Sequence, residues 1–108
     1  MAETFLIDYA RDDGTAVVRF IGELDLMTAD RAEKAGIATL SDLNGDGSTL
    51  VIDVSELAFC DSCGLKALFA IRARAADAGH TVTLRRPSAR LLHTLELTDL
   101  RRLFVIES

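Results

Sequence analysis

The 108-residue chain has the length of one compact domain, and its 49% hydrophobic and 27% charged residues give a globular rather than a disordered balance. No apolar run approaches the roughly eighteen residues of a membrane span, and Met1-Ala-Glu-Thr4 lacks the basic start of a signal peptide. A cytoplasmic domain without a membrane partner is therefore expected, and the net charge of −5 argues against direct nucleic-acid binding, which rests on clustered Lys and Arg.

Charge is unevenly placed. Residues 1–61 hold thirteen acids against four bases, a net of −9, whereas residues 62–108 carry +4. Such polarity either steers a protein partner to one face or is simply solvated surface.

In chain order, residues 4–9 and 15–21 read as a hairpin around Asp12-Asp13-Gly14, the second run (TAVVRFI) being rich in β-branched and aromatic residues. Gly22-Glu23-Leu24-Asp25 breaks that strand pattern. A helix is predicted over 29–40, with Ala32, Ala35, Ile37, Ala38 and Leu40 on its apolar face. Residues 42–48 are a loop by composition, and 50–54 (LVIDV) form a short apolar strand covered on both faces.

A second helix runs from Ser62 to about Ala78, with Leu65, Leu68, Phe69, Arg72 and Ala76 at helical spacing, and Gly79 ends it. Residues 80–84 alternate as a strand. Pro87 suits a first helical turn, so 88–95 form a third helix, and 103–106 close as the last strand. The order β-β-α-β-α-β-α-β predicts a single layered α/β domain around a largely parallel or mixed sheet.

Three motifs invite chemistry. Asp42-x-Asn44-x-Asp46-Gly47, with Asp53 at the twelfth position, matches the first half of a calcium loop. Asp53, however, falls inside a predicted strand where that loop needs a helix, and a permissive turn explains the same residues. Cys60-Asp61-Ser62-Cys63 has C-x-x-C spacing, which suggests either redox chemistry or two small semi-buried side chains at a strand-helix junction. No second pair completes a zinc site, and no metal or other cofactor is implied. Ser62 lies between a strand and a helix, but Gly-x-Ser-x-Gly is absent, as are phosphate-binding glycine loops, so catalysis is unsupported.

The junction Ala58-Phe59-Cys60-Asp61-Ser62-Cys63-Gly64-Leu65 carries the sharper expectation. Ser62 or Asp61 caps the helix, and Gly64 permits close backbone packing. A hydroxyl at a helix N-terminus also tolerates a phosphoryl group, which adds roughly two negative charges and repels a docked partner without unfolding the domain.

Residues 50–65 resemble the signature of bacterial anti-sigma factor antagonists of the STAS domain superfamily, in which an apolar strand leads to an Asp-Ser-Ser/Thr-Gly-Leu turn and a helix. Gly22-Glu23-Leu24-Asp25 is similar to the acidic turn before the family's first helix. Pro87-Ser88-Ala89 with Leu91, Leu92 and Leu95 resembles its late strand-helix segment, and the likeness spans about residues 4–106. It implies a mixed sheet of about five strands with helices packed mainly on one face.

The resemblance further implies a partner-switching cycle. An unphosphorylated antagonist binds an anti-sigma factor that is also a serine kinase, releasing a sigma factor. The kinase then phosphorylates the antagonist, and a PP2C-type phosphatase restores it. Carried over residue by residue, the phosphoacceptor is Ser62 and the partner-binding positions are Glu23, Asp25, Asp61, Ser62, Cys63 and Gly64. Cys63 departs from the usual Ser or Thr, leaving Ser62 as the only hydroxyl of the motif and placing a thiol at the helix start. Many relatives add a final helix after the last strand, whereas this sequence ends at Ser108. Two other readings stay open: an unphosphorylated STAS scaffold module of a transporter or sensory complex, and a thiol redox sensor using Cys60 and Cys63.

Overall fold

The computed structural model describes residues 5–12, 15–43 and 47–108. The tip of the first hairpin, Asp13-Gly14, and Asn44 and Asp46 of the calcium-like loop lie outside the described residues.

Strand β1 (Leu6–Asp12) pairs antiparallel with β2 (Thr15–Leu24), which is followed by α1 (Ala29–Leu40). Strand β3 (Thr49–Cys60) leads into α2 (Ser62–Asp77), β4 (Thr81–Arg85) into α3 (Ala89–Leu97), and a 3-10 turn (Arg101–Leu103) into β5 (Val105–Glu107). The five strands lie side by side in sequence order, and every pair after the first is parallel. Because the order never reverses, successive right-handed crossovers deposit their helices on one face. For the same reason the sheet has no switch point of the kind that opens a nucleotide crevice in doubly wound folds.

The core is that single interface. Ala16, Val18, Phe20, Leu50, Ile52, Val54, Val82 and Leu84 project from the strands and meet Ala32, Leu65, Leu68, Ile71, Leu91 and Leu95 from the helices. Phe5 joins from the N-terminal side, its ring 5.9 Å from that of Phe20 and capped by the Arg31 guanidinium 5.4 Å from its centroid. Gly36 brings α1 against α2: a Cβ there would collide with the Ile71 side chain.

Several expectations are corrected. Strand β2 does not break at Gly22 but runs on to Leu24, because Gly22, Glu23 and Leu24 pair with Leu57, Phe59 and Cys60. Gly22 accommodates the accompanying irregularity with a φ of 111°, a region open to glycine. Strand β3 correspondingly continues six residues past Val54. Its polar extension is less apolar than LVIDV because Ser55 and Glu56 lie exposed, beyond the cover of the helices.

On α1, Ala38 faces solvent while Thr39 is buried, its hydroxyl donating to the Ala35 carbonyl at 2.7 Å. On α2, Phe69 and Ala76 are exposed and Arg72 is half-buried, and Ile71 and Ala75, which the sequence reading did not pick out, stand in the core instead. Pro87 precedes the helix instead of opening it: Ser88 is the N-cap, accepting the Leu91 amide at 3.0 Å. The final strand begins at Val105, since Leu103 belongs to the 3-10 turn.

The opposite sheet face carries no helix among the described residues. A row of alternating charge crosses it in register: Asp8, Arg19, Asp53, Arg85 and Glu107, one from each strand. Arg85 Nε donates to Glu107 Oε2 at 2.6 Å, and Arg19 Nε lies 3.5 Å from Asp53 Oδ2. Asp53 is 1% exposed, with its Oδ1 accepting both the amide and the hydroxyl of Ser55 at 2.9 and 2.6 Å. This carboxylate therefore holds the irregular step at which β3 leaves regular register with β2, and it is engaged with arginines rather than offered to calcium. Among the described residues no cluster of His, Cys, Asp and Glu could hold a metal ion, and no helix is long and apolar enough to cross a membrane.

Candidate functional site

Parallel pairing brings the carboxyl ends of β2 and β3 out together, Leu24 beside Cys60, so that the starts of α1 and α2 become neighbours. The link is direct. The Asp61 amide donates to the Leu24 carbonyl at 3.1 Å, and Gly64 packs so closely that a Cβ would sit 2.7 Å from the same oxygen and 2.8 Å from Cys60 Sγ.

Beyond Leu24 the chain turns through Asp25 to Thr28. Buried Thr28 donates its hydroxyl to the Glu23 carbonyl at 2.8 Å and accepts the Asp25 amide at 3.0 Å. Asp25 Oδ1 accepts the Met27 amide at 2.9 Å. The turn is thus tied inward by its polar side chains, and its apolar ones point outward: Leu26 is 73% and Met27 82% exposed.

Asp61 is the N-cap of α2, with extended backbone (φ −97°, ψ −170°) and Oδ1 accepting the Gly64 amide at 3.0 Å. Capping therefore belongs to Asp61, not to Ser62. Ser62 is the first helical residue, exposed, and its hydroxyl makes no hydrogen bond among the described residues. The two roles that one serine seemed to combine are divided between neighbours.

Cys60 and Cys63 are both free and half-buried. Burial, with the Asp61 charge added, pushes the Cys60 thiol up to about 12, so it stays protonated at neutral pH. This environment works against a redox role that starts from a Cys60 thiolate.

Beside Ser62 opens a shallow, almost wholly apolar groove of about 300 Å³ between α2 and the turn after α3, lined by Ser62, Leu65, Lys66, Phe69, Thr98 and Leu100. Sequence reading missed this groove and the outward Leu26 and Met27. Phe69 looked like core because its helical spacing is right, but it lines this groove and is 43% exposed.

The structure thus brings Glu23, Asp25, Asp61, Ser62, Cys63 and Gly64 to one corner. Its chemical content is an accessible hydroxyl at a helix N-terminus, flanked by carboxylates and exposed apolar side chains. Such a corner suits regulated protein contact. A one-faced mixed sheet whose third strand ends in this serine-bearing turn defines a STAS domain. The sequence model described as "Mlab, STAS domain" matches residues 7–107, and the chain belongs to that family.

No curated protein matches the chain. Among solved structures, an anti-sigma factor antagonist from Mycobacterium paratuberculosis is 32% identical, with 96% of this chain and 86% of that one covered and a TM-score of 0.75. The Bacillus cell fate determinant SpoIIAA in its phosphorylated form is 20% identical, with 97% and 92% covered and a TM-score of 0.66. The murine Solute Carrier 26 family member A9 anion transporter is 23% identical over 82% of this chain but only 14% of its own, with a TM-score of 0.67. At these last two identities the likeness is one of fold.

Proposed function

We propose that the chain is a cytoplasmic anti-sigma factor antagonist: unphosphorylated, it binds an anti-sigma factor with serine kinase activity and so releases a sigma factor. Phosphorylation of Ser62 ends that binding. The observation that carries this reading is the division of labour at the head of α2. Asp61 caps the helix, which leaves the Ser62 hydroxyl exposed and without a structural task. Transfer of the γ-phosphoryl of ATP to Ser62 Oγ releases ADP and the hydroxyl proton. Roughly two negative charges then stand beside Asp61 and the outward Leu26 and Met27, where a docked partner would meet them. A PP2C-type phosphatase reverses the step by hydrolysis to serine and inorganic phosphate. The 32% identical mycobacterial relative supports the antagonist class, and the phosphorylated Bacillus structure supports a fold that tolerates the modification.

Intact-mass measurement tests the proposal, with the purified chain, ATP-Mg and candidate anti-sigma kinases, beside a Ser62→Ala control. One phosphate on the wild type, none on Ser62→Ala, and loss of kinase binding on modification are expected. Absence of both phosphate and binding would overturn it in favour of a scaffold module, the reading to which the transporter likeness in fold lends support.

A further inference from the structure

One exposed cation is placed to answer a phosphate on Ser62, and it stands at the mouth of the apolar groove. Lys66 lies four residues after Ser62 on α2, and both line that groove with Leu65, Phe69, Thr98 and Leu100. Side chains of a helix tilt toward its N-terminus, so Lys66 leans over the turn that begins with Ser62. An anion preceding a cation by four residues is also the favourable order for a helical ion pair. Lys66 has no ion-pair partner among the described residues, so nothing holds it elsewhere.

The other attractions for a phosphate are weakened. The Gly64 amide is already taken by Asp61 Oδ1 at 3.0 Å, and that carboxylate repels a second anion from the cap side. Across the groove the charges are paired with each other, Glu96 with Arg101 at 3.2 Å and Asp99 with Arg102 at 3.1 Å. The first-turn amides of Ser62 and Cys63 still favour an anion, and Lys66 is the cation of the groove lining that can add to them. For its ammonium to meet the phosphate, the four-carbon stem must lie along the helix surface toward Ser62, over the rim of the groove that both residues line.

We propose that Lys66 receives the Ser62 phosphate within the same helix and that its stem then closes the apolar groove between α2 and the α3 turn. The inference rests on Ser62 as the modified residue and adds a second element to the switch. Phosphorylation then changes the shape and polarity of the adjoining surface as well as its charge.

The test uses the full 108-residue chain with phosphoserine incorporated at position 62 during synthesis, so that it depends on no kinase. A phosphorus NMR titration of the wild type should give a second phosphate pKa about 0.15–0.35 below that of the Lys66→Gln variant, the value of a helical ion pair, with Lys66→Arg restoring the lower figure. In parallel, relaxation of the half-buried Leu100 methyl signals by a neutral paramagnetic cosolute should fall on phosphorylation of the wild type and not of Lys66→Gln. Equal phosphate pKa values in the two proteins, or unchanged methyl accessibility in the phosphorylated wild type, would each overturn the proposal. A failure of the kinase experiment with success here would instead leave the intramolecular pairing standing and remove only its cellular setting.

Discussion

The amide of Asp61 and the carbonyl of Leu24 meet at 3.1 Å, and across that bond the end of β2 is fastened to the head of α2. The contact is between backbones, so it depends on the register of the two strands and not on the identity of either side chain. Glu23 and Asp25 thereby share a surface with Ser62, although nearly forty residues separate them in the chain.

Asp61 and Ser62 should differ sharply in what they do for stability. Asp61→Ala removes the side chain that caps the Gly64 amide and is expected to cost about 1 kcal/mol. Ser62→Ala removes an exposed hydroxyl without a partner and should stay within about 0.5 kcal/mol of wild type. Urea unfolding of both variants checks this, and equal losses would contradict the assignment of the cap.

Gly64 should resist replacement even by alanine. The added Cβ would stand 2.7 Å from the Leu24 carbonyl oxygen and 2.8 Å from Cys60 Sγ, and the strand pairing behind Leu24 gives it little room to retreat. A loss of about 1–3 kcal/mol is expected. The amide signals of Glu23 to Thr28 should shift with it. An unperturbed Gly64→Ala protein would show that the corner is looser than its geometry implies.

Asp53 predicts a pH dependence. Burial pushes its carboxyl up, but two hydrogen bonds from Ser55 and the charges of Arg19 and Arg86 outweigh it and hold the group below the ordinary carboxylate value. A lowered folded-state pKa means that the stabilisation is complete above the unfolded-state value and disappears as pH falls through the folded-state one. Asp53→Asn should therefore be less stable than wild type at pH 7, and the gap should narrow toward pH 3. Denaturation curves of the two proteins at both pH values measure it; a gap that stays constant would remove the charge from the explanation.

The Cys60 thiol, held protonated with a pKa of about 12 and half-buried, should react slowly with iodoacetamide at pH 8 in the folded chain and readily after unfolding. Peptide mapping by mass spectrometry reads both states. Fast labelling of Cys60 in the folded protein would revive the thiol-sensor reading.

The legible parts of the fold are those set by local pattern. Helix α1 stands at the predicted 29–40, α2 ends at the Gly79 turn, and the alternating element order gives the single layered domain. Strand lengths were not legible, because β2 beyond Ile21 and β3 beyond Val54 are strands by virtue of pairing with each other, through stretches that include Gly22, Glu23, Glu56 and Ala58, residue types depleted in strands. At the site, the resemblance pointed to Ser62 and its neighbours. The division of roles between Asp61 and Ser62 could not be read from composition, since either residue type caps a helix. Thr28, which ties the acidic turn together from inside, carries no motif at all, and only its two hydrogen bonds and burial reveal it.

The charge row on the helix-free face has a consequence for how copies of this chain behave toward one another. A bare sheet face without charges would be adhesive, and an adhesive back would compete with the Ser62 corner for any encounter. With Arg19, Asp53, Arg85 and Glu107 spanning it, a surface docking on that side would have to take the charge row out of water together with the exposed Leu6 and Val105. The charge row thus sets a desolvation cost against contact on that side, whereas the Ser62 corner presents the outward Leu26 and Met27.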